Sequence, residues 1–392
     1  MMKTKALVVG AGPSGSAAAF YMAQAGIDVL LVDKEQWPRD KVCGDGQMSH
    51  SWFIYEEMGI LDEAKKAGKM LYGLKLSDIR ERQVPFYADK EYCLGTRRYV
   101  IDDIIRRAAV REGAQFIENF EVVELIYKRG RVVGVRALYE GKITEVYADL
   151  VVLANGSHSL QGRELGIFNE DPETLWISAR GYYANVEGME DLIEFHYPFE
   201  DLYPGYMWVF PENDGIADVG VFITEEKLRK SGIRLEDFFS RWRDTTEIGH
   251  ERLGHAELVG DIKGWRLPSC WQAGKLFSHG CALVGDAACS VEPWLGEGFF
   301  AALYSGRTIG KCLGPLLKER PLTDEDLKMA SDTFAKDVNP FYQAMGMMRK
   351  YAVTTPDQLT KFVDYCLTLS EDQLRDIEKV LPEYIQKTMA KQ

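Results

Sequence analysis

Val8-Val9-Gly10-Ala11-Gly12-Pro13-Ser14-Gly15, closed by Asp33 after Val29-Leu30-Leu31-Val32, decides the fold of this 392-residue chain. The stretch reads as apolar strand, glycine turn, Ala-rich helix, second strand and acid. Gly10 permits the tight turn, Gly12 lets a pyrophosphate approach the backbone, and Gly15 lets the helix lie close to the strand. The helix that opens at Pro13 and Ser14 offers free N–H groups and a positive dipole end to phosphates. Asp33, with Lys34 beside it, is placed to accept hydrogen bonds from a ribose. The spacing predicts a β-α-β unit over residues 4–33 that binds a dinucleotide, with Gly26 stopping its helix.

Composition narrows the class. The chain is 46% hydrophobic and 27% charged, which suits a globular protein with a sizeable core. A net charge of −13 argues against a nucleic-acid partner, because no basic surplus exists to displace counterions. Seven cysteines (Cys43, Cys93, Cys270, Cys281, Cys289, Cys312 and Cys366) show neither a disulfide framework nor zinc spacing. No metal is expected, and a cytoplasmic location is. The opening strand leaves no room for a signal peptide, and no apolar run reaches the ~20 residues that span a bilayer.

Farther along, a helix is expected from Ser49 to Ala67 and another from Arg98 to Glu112, with Ile101, Ile104, Ile105 and Ala108 on one face. Gln115–Val135 alternates as strands around Lys128-Arg129-Gly130, and Ala148–Ala154 reads as a buried parallel strand. Residues 175–223, rich in aromatics and Val, read as antiparallel sheet, with a hairpin turning at Glu212-Asn213-Asp214-Gly215. Residues 235–253 read as helix. Cys281–Val284 forms a short strand that returns to Gly285-Asp286, and everything after Glu297 reads as helix. The amphipathic stretch Ser370–Met389 is expected to pack on the body, with a membrane-surface or dimer contact as the alternative.

A single nucleotide-binding turn implies a single cofactor domain. Gly285-Asp286 places a carboxylate at a strand end, where it could bind a flexible polyol. FAD contains such a ribityl chain and nicotinamide dinucleotides do not, so the expected cofactor is FAD. With these residues in view, the chain resembles the flavoprotein group of aromatic hydroxylases, flavin halogenases and geranylgeranyl reductases. The resemblance rests on the opening turn, Arg98 followed by Asp102, the strand 148–156, and Gly285-Asp286. It implies that Arg98 contacts the pyrophosphate region, that Val122 meets the adenine through its backbone, that Ala154 and Gly156 flank the cofactor, and that Asp286 binds the ribityl hydroxyls.

Two motifs select a branch. Pro38-Arg39-Asp40-Lys41-Val42-Cys43-Gly44-Asp45-Gly46 is similar to the Pro-x-x-Lys-x-Cys-Gly-x-Gly loop of geranylgeranyl reductases, which places Cys43 and Gly44 near the isoalloxazine. Tyr206-Met207-Trp208-Val209-Phe210-Pro211 resembles their Tyr-x-Trp-x-Phe-Pro signature. On a strand, Tyr206, Trp208 and Phe210 share one face, and they are expected to line an apolar substrate cavity. Pro293-Trp294-Leu295-Gly296-Glu297-Gly298 leads into a helix over Phe299–Leu313, whose N–H groups would face the flavin. The family usually carries a smaller aliphatic residue at Trp294, so the cavity is expected to narrow there.

The expected fold is α/β, α+β overall: a Rossmann-like three-layer FAD-binding domain (1–75, 95–166 and 275–315), an inserted antiparallel β-sheet substrate domain (76–94 and 167–274) and a helical C-terminal region (316–392). The expected activity is reduction of carbon–carbon double bonds in an isoprenoid or other apolar substrate, with Cys43 and Tyr206 as the candidate proton donors of the protein and water as a third candidate. NAD(P)H or a ferredoxin-like carrier would supply the electrons. The alternatives are a flavin monooxygenase or halogenase and, more remotely, a non-catalytic prenyl or lipid carrier.

Overall fold

Apolar β-branched runs form the centre of the molecule. In a computed structural model that describes residues 2–167, 174–375 and 377–389, the opening strand Met2–Val9 lies between Lys142–Leu153 and Val29–Val32, parallel to both. Leu7 pairs with Val151 on one side and Leu30 on the other. Cys281–Leu283 and Gln115–Ile117 extend the parallel order at the two sides, and Phe277–Ser278 adds an antiparallel edge. Strands buried on both faces need continuous apolar sequence, and Ala6, Leu7, Val8, Val151 and Val152 are all wholly buried. The hairpin Glu121–Lys128 and Arg131–Tyr139 runs antiparallel along the first half of Lys142–Leu153.

The helix Pro13–Gln24 starts at the carboxyl end of the opening strand, and Gly26 follows it with φ of +81°. A second helix, Phe299–Glu319, lies along it and runs beyond the expected end at Leu313. Gly306 allows the close approach: a Cβ there would stand 2.0 Å from the Ser14 carbonyl oxygen. Arg98–Glu112 forms as expected, with Ile101, Ile104, Ile105 and Ala108 buried. The helix expected over Ser49–Ala67 is interrupted. It divides into a 3₁₀ turn, Trp52–Glu57 and Leu61–Ala67, because the chain turns at Gly59 with φ of +68°.

The second sheet has seven strands, in the order Glu257–Pro268, Leu175–Ala184, Ile216–Thr224, Tyr206–Pro211, Ile193–His196, Gly73–Ser77 and Gln83–Tyr87. It departs from the expected antiparallel sheet at one junction, where Ile193–His196 pairs parallel to Gly73–Ser77. Buried polar groups hold that junction. Ser77 Oγ lies 2.8 Å from His196 Nδ1, His196 Nε2 lies 2.9 Å from Glu194, and Arg252 Nε donates to Glu194 at 2.9 Å. Alternation assigns the two faces: Met207, Val209, Val219 and Val221 join Phe238 and Trp242 in one core, while Tyr206, Trp208 and Phe222 turn to the other side. The expected segment limit between 75 and 76 falls inside Gly73–Ser77. The limit near 167 adjoins residues 168–173, which lie outside the described residues.

The C-terminal elements are helical. Asp324–Met348 begins with a reciprocal Thr323–Asp326 capping box and passes through a π-turn, Arg349–Val353, into Pro356–Cys366. Ile377–Met389 packs Val380, Leu381, Tyr384 and Ile385 into the same apolar cluster as Tyr206 and Trp208, in line with packing on the body. Among the described residues, no helix is long and apolar enough to cross a membrane.

Candidate functional site

A cavity of about 870 Å³ begins at the carboxyl ends of the parallel strands and extends to the aromatic face of the second sheet. Gly10, Gly12, Pro13, Ser14, Asp33 and Lys34 line its first end. Gly10 has φ of +104°, and a Cβ there would lie 2.3 Å from the Ala154 carbonyl oxygen. Gly15 does not line the cavity; it brings the helix against Gly10, whose carbonyl oxygen would lie 1.8 Å from an added Cβ. Asp33 braces the turn by accepting the Ala11 N–H at 2.7 Å and the Glu35 N–H at 2.9 Å.

Charge at this end suits an anionic ligand. Arg98 donates to Asp102 through Nε and Nη2 at 2.6 and 2.8 Å, and Arg39 Nη1 lies 2.9 Å from the same carboxylate. Burial opposes ionisation of Asp102, but the two guanidinium groups outweigh it and hold the carboxyl below its ordinary range. Two guanidinium groups share one carboxylate, so this cluster of three side chains carries one net positive charge. Arg39 Nη2 stands 3.3 Å from where a Gly12 Cβ would be. The open backbone at Gly12 and this charge together fit a pyrophosphate. Val122, Ala154 and Gly156 line the same end, and the Val122 carbonyl accepts from Gln161 Nε2 at 3.3 Å.

Cys43, Gly44, Arg98, Asp286, Gly296, Glu297 and Gly298 line the middle of the cavity. Gly285 stands behind it, close to Ser14, with its N–H donating to Ser305 Oγ at 2.9 Å. Burial pushes the Cys43 thiol up, against the lowering pull of Arg98, so the thiol is protonated at neutral pH. Burial also brings the Lys41 ammonium down to about 8, against the opposing charge of Asp286. The N–H groups before the long helix do not all face the cavity. Those of Trp294 and Glu297 donate to the buried Glu292 at 2.7 and 3.0 Å.

The far end is apolar. Tyr206, Trp208 and Phe210 share the cavity face with Phe195 and Phe222, and Trp294 lines it as well. Each polar tip is directed into the wall: Tyr206 Oη donates to the Leu295 carbonyl, Trp208 Nε1 to Asp218 at 2.7 Å, and Trp294 Nε1 to Tyr197 Oη at 3.3 Å. Met345, Met348, Ile377 and Leu381 add wall from the C-terminal helices. Their part was not readable in the sequence, since a helix face for a cavity has the same apolar spacing as one for a core.

Behind the Cys43 loop, Asp45, Glu212 and Asp218 bring carboxylate oxygens within 4.8 Å of one another. Tyr182 Oη donates to Asp45 at 2.6 Å and Arg97 Nε to Glu212 at 2.9 Å. Burial raises all three carboxyls; repulsion from Glu212 adds to this for Asp45, and repulsion from Asp45 does so for Asp218. Three acids this far apart in sequence give no local signal. Arg39 and Lys41 do lie within the quoted loop, but their contacts depend on tertiary structure.

The family described as "FAD binding domain" matches residues 3–324. The chain is 30% identical over 320 residues to menaquinone reductase of Mycobacterium tuberculosis, covering 78% of this chain and 76% of the relative. It is 29% identical over 342 residues to digeranylgeranylglycerophospholipid reductase 2 of Methanopyrus kandleri, covering 86% and 83%. Among solved structures, a geranylgeranyl bacteriochlorophyll reductase-like protein of Thermoplasma acidophilum aligns with a TM-score of 0.79 at 21% identity, covering 100% of this chain and 96% of that one. The myxobacterial chondrochloren halogenase aligns with a TM-score of 0.76 at 24% identity, covering 91% and 84%. These two likenesses show the shared fold.

Proposed function

The chain belongs to the FAD-binding domain family and, within it, to the geranylgeranyl reductase-like oxidoreductases, and from that premise we propose that it saturates carbon–carbon double bonds in an isoprenoid chain. The observation that carries this reading is the continuity of one cavity from the glycine turn to an apolar, aromatic far end. A menaquinone reductase and a digeranylgeranylglycerophospholipid reductase among the relatives support an isoprenoid carried on a quinone or a lipid.

Bound FAD supplies the hydride in its reduced form. The chain's own residues hold the cofactor and orient the substrate. Gly12, Arg39 and Arg98 receive the pyrophosphate, Asp33 the ribose and Asp286 the ribityl chain. Tyr206, Trp208, Phe210, Phe222 and Trp294 enclose the alkene and exclude water. Cys43 is the proton donor in this reading, because its thiol is protonated and lines the cavity. Tyr206 is the weaker acid candidate: burial raises its hydroxyl well above the ordinary value, and its proton is directed to the Leu295 carbonyl. It acts as wall and tether.

The test is anaerobic incubation of the reduced holoenzyme with a geranylgeranyl lipid and, separately, with menaquinone. The expected result is a gain of two hydrogens per reduced bond by mass spectrometry. Failure of both substrates, with substrate-dependent oxygen consumption in air, would overturn the reading in favour of a monooxygenase or halogenase. Parallel reductions with NADPH and with reduced ferredoxin identify the electron donor.

A further inference from the structure

Saturating a double bond takes one hydride and one proton, and the aromatic wall of the cavity directs its own polar tips away from the interior, so the proton has to be delivered from solvent. We propose that His50 and Glu297 form the route by which protons pass from solvent into the cavity, an inference that rests on the reductase reading above. His50 Nε2 lies 2.9 Å from Glu297 Oε1, and both residues line the cavity. Their side chains are 39% and 15% exposed, so the imidazole meets solvent and the carboxylate lies inward of it.

The pair is held in place. The Glu297 N–H donates to Glu292 Oε1 at 3.0 Å, and the Glu292 N–H donates back to the Glu297 carbonyl at 3.3 Å. The His50 ring packs edge-to-face on Phe300 at 4.7 Å and tilts against Phe341 at 5.6 Å. Charged and titratable groups surround the pair. Glu292 lies behind the loop, Asp286 Oδ1 stands 3.4 Å from a Cβ built on Gly298, Arg98 stacks over Phe299, and the Cys93 thiol interacts with the Glu297 charge. In the transfer, protonated His50 gives its Nε2 proton to Glu297, and solvent reprotonates the imidazole. Glu297 releases the proton into the cavity, where it restores the Cys43 thiol after that thiol has protonated the alkene carbon opposite the hydride-bearing one. The electron pair comes with the hydride from reduced FAD, so the pair moves protons alone.

The test uses the FAD-loaded His50→Ala enzyme. Turnover is expected to fall at least about 10-fold, a modest share of a general acid–base contribution. Added imidazole should restore it in proportion to concentration while leaving the wild type unchanged, and FAD content and the visible spectrum should match the wild type. Full turnover across the pH range in His50→Ala, or a loss that imidazole does not rescue, would overturn the route. Absence of isoprenoid reduction by the wild type instead counts against the reductase reading. The route is then judged by proton uptake on photoreduction of the bound flavin, followed with an indicator dye. Slowed uptake rescued by imidazole supports it, and wild-type uptake overturns it.

Discussion

Cys43 combines a cavity position with a thiol that burial keeps protonated. Cys43→Ala is expected to retain FAD and to lose about 100-fold in double-bond reduction, as removal of a general acid does. Unchanged turnover in a single-turnover assay would remove the thiol from the chemical step. Glu292 makes a different prediction. Burial raises its carboxyl to about 7, although the Trp294 and Glu297 N–H groups favour the charged form. The folded state therefore holds this proton more tightly than the unfolded state. The resulting stabilisation is complete below the ordinary value of 4.5 and is lost as pH rises through about 7. The shift corresponds to about 3 kcal/mol. Thermal melts of the wild type should fall between about pH 5 and pH 8, and Glu292→Gln should flatten the curve. Parallel curves would assign the slope to another group. Cys43 could be read from its motif, whereas Glu292 could not, because its partners are backbone groups of a loop that only the fold arranges.

At the level of elements, the glycine turn and its helix were legible because their geometry depends on local backbone conformation. So was the stripe Tyr206, Trp208 and Phe210, since period two places alternate residues on one face. The strand Glu257–Pro268 was not read from the sequence. It is an edge strand, exposed along most of its length, and so lacks the alternation that marks a half-buried strand. The parallel pairing of Ile193–His196 with Gly73–Ser77 was also hidden, because the partners are far apart in the chain. The contact between Pro13–Gln24 and Phe299–Glu319 yields a test. Gly306→Ala forces a methyl against the Ser14 carbonyl, a backbone atom that cannot yield without moving the helix. The expected cost is about 1–3 kcal/mol. Because Ser14 lines the cofactor end, flavin release should occur at a lower temperature in a fluorescence melt; an unchanged release temperature would show that the helices separate freely.

The whole molecule forms one cavity from parts that are distant in sequence. Its cofactor end comes from the parallel sheet, its aromatic wall from the second sheet, and its outer apolar wall from Met345, Met348, Ile377 and Leu381. Met348→Trp should therefore reduce the substrate space and leave the cofactor end intact. The expected result is a rise of about 10-fold in KM for an isoprenoid substrate, with unchanged FAD stoichiometry. An unchanged KM would place the substrate elsewhere. By itself, the sequence determined the dinucleotide turn, because it depends on residue types at short, fixed spacing; the FAD assignment joined that turn to the distant Gly285-Asp286, and the reductase branch came from the resemblance of the Cys43 loop and of Tyr206–Pro211 to one family. The tertiary structure alone decided that Arg39 shares Asp102 with Arg98, that Glu292 holds the Trp294 loop, that His50 meets Glu297, and that the C-terminal helices close the apolar end. Most of these contacts join segments tens to hundreds of residues apart, and burial and charge act through space, so no local pattern records them.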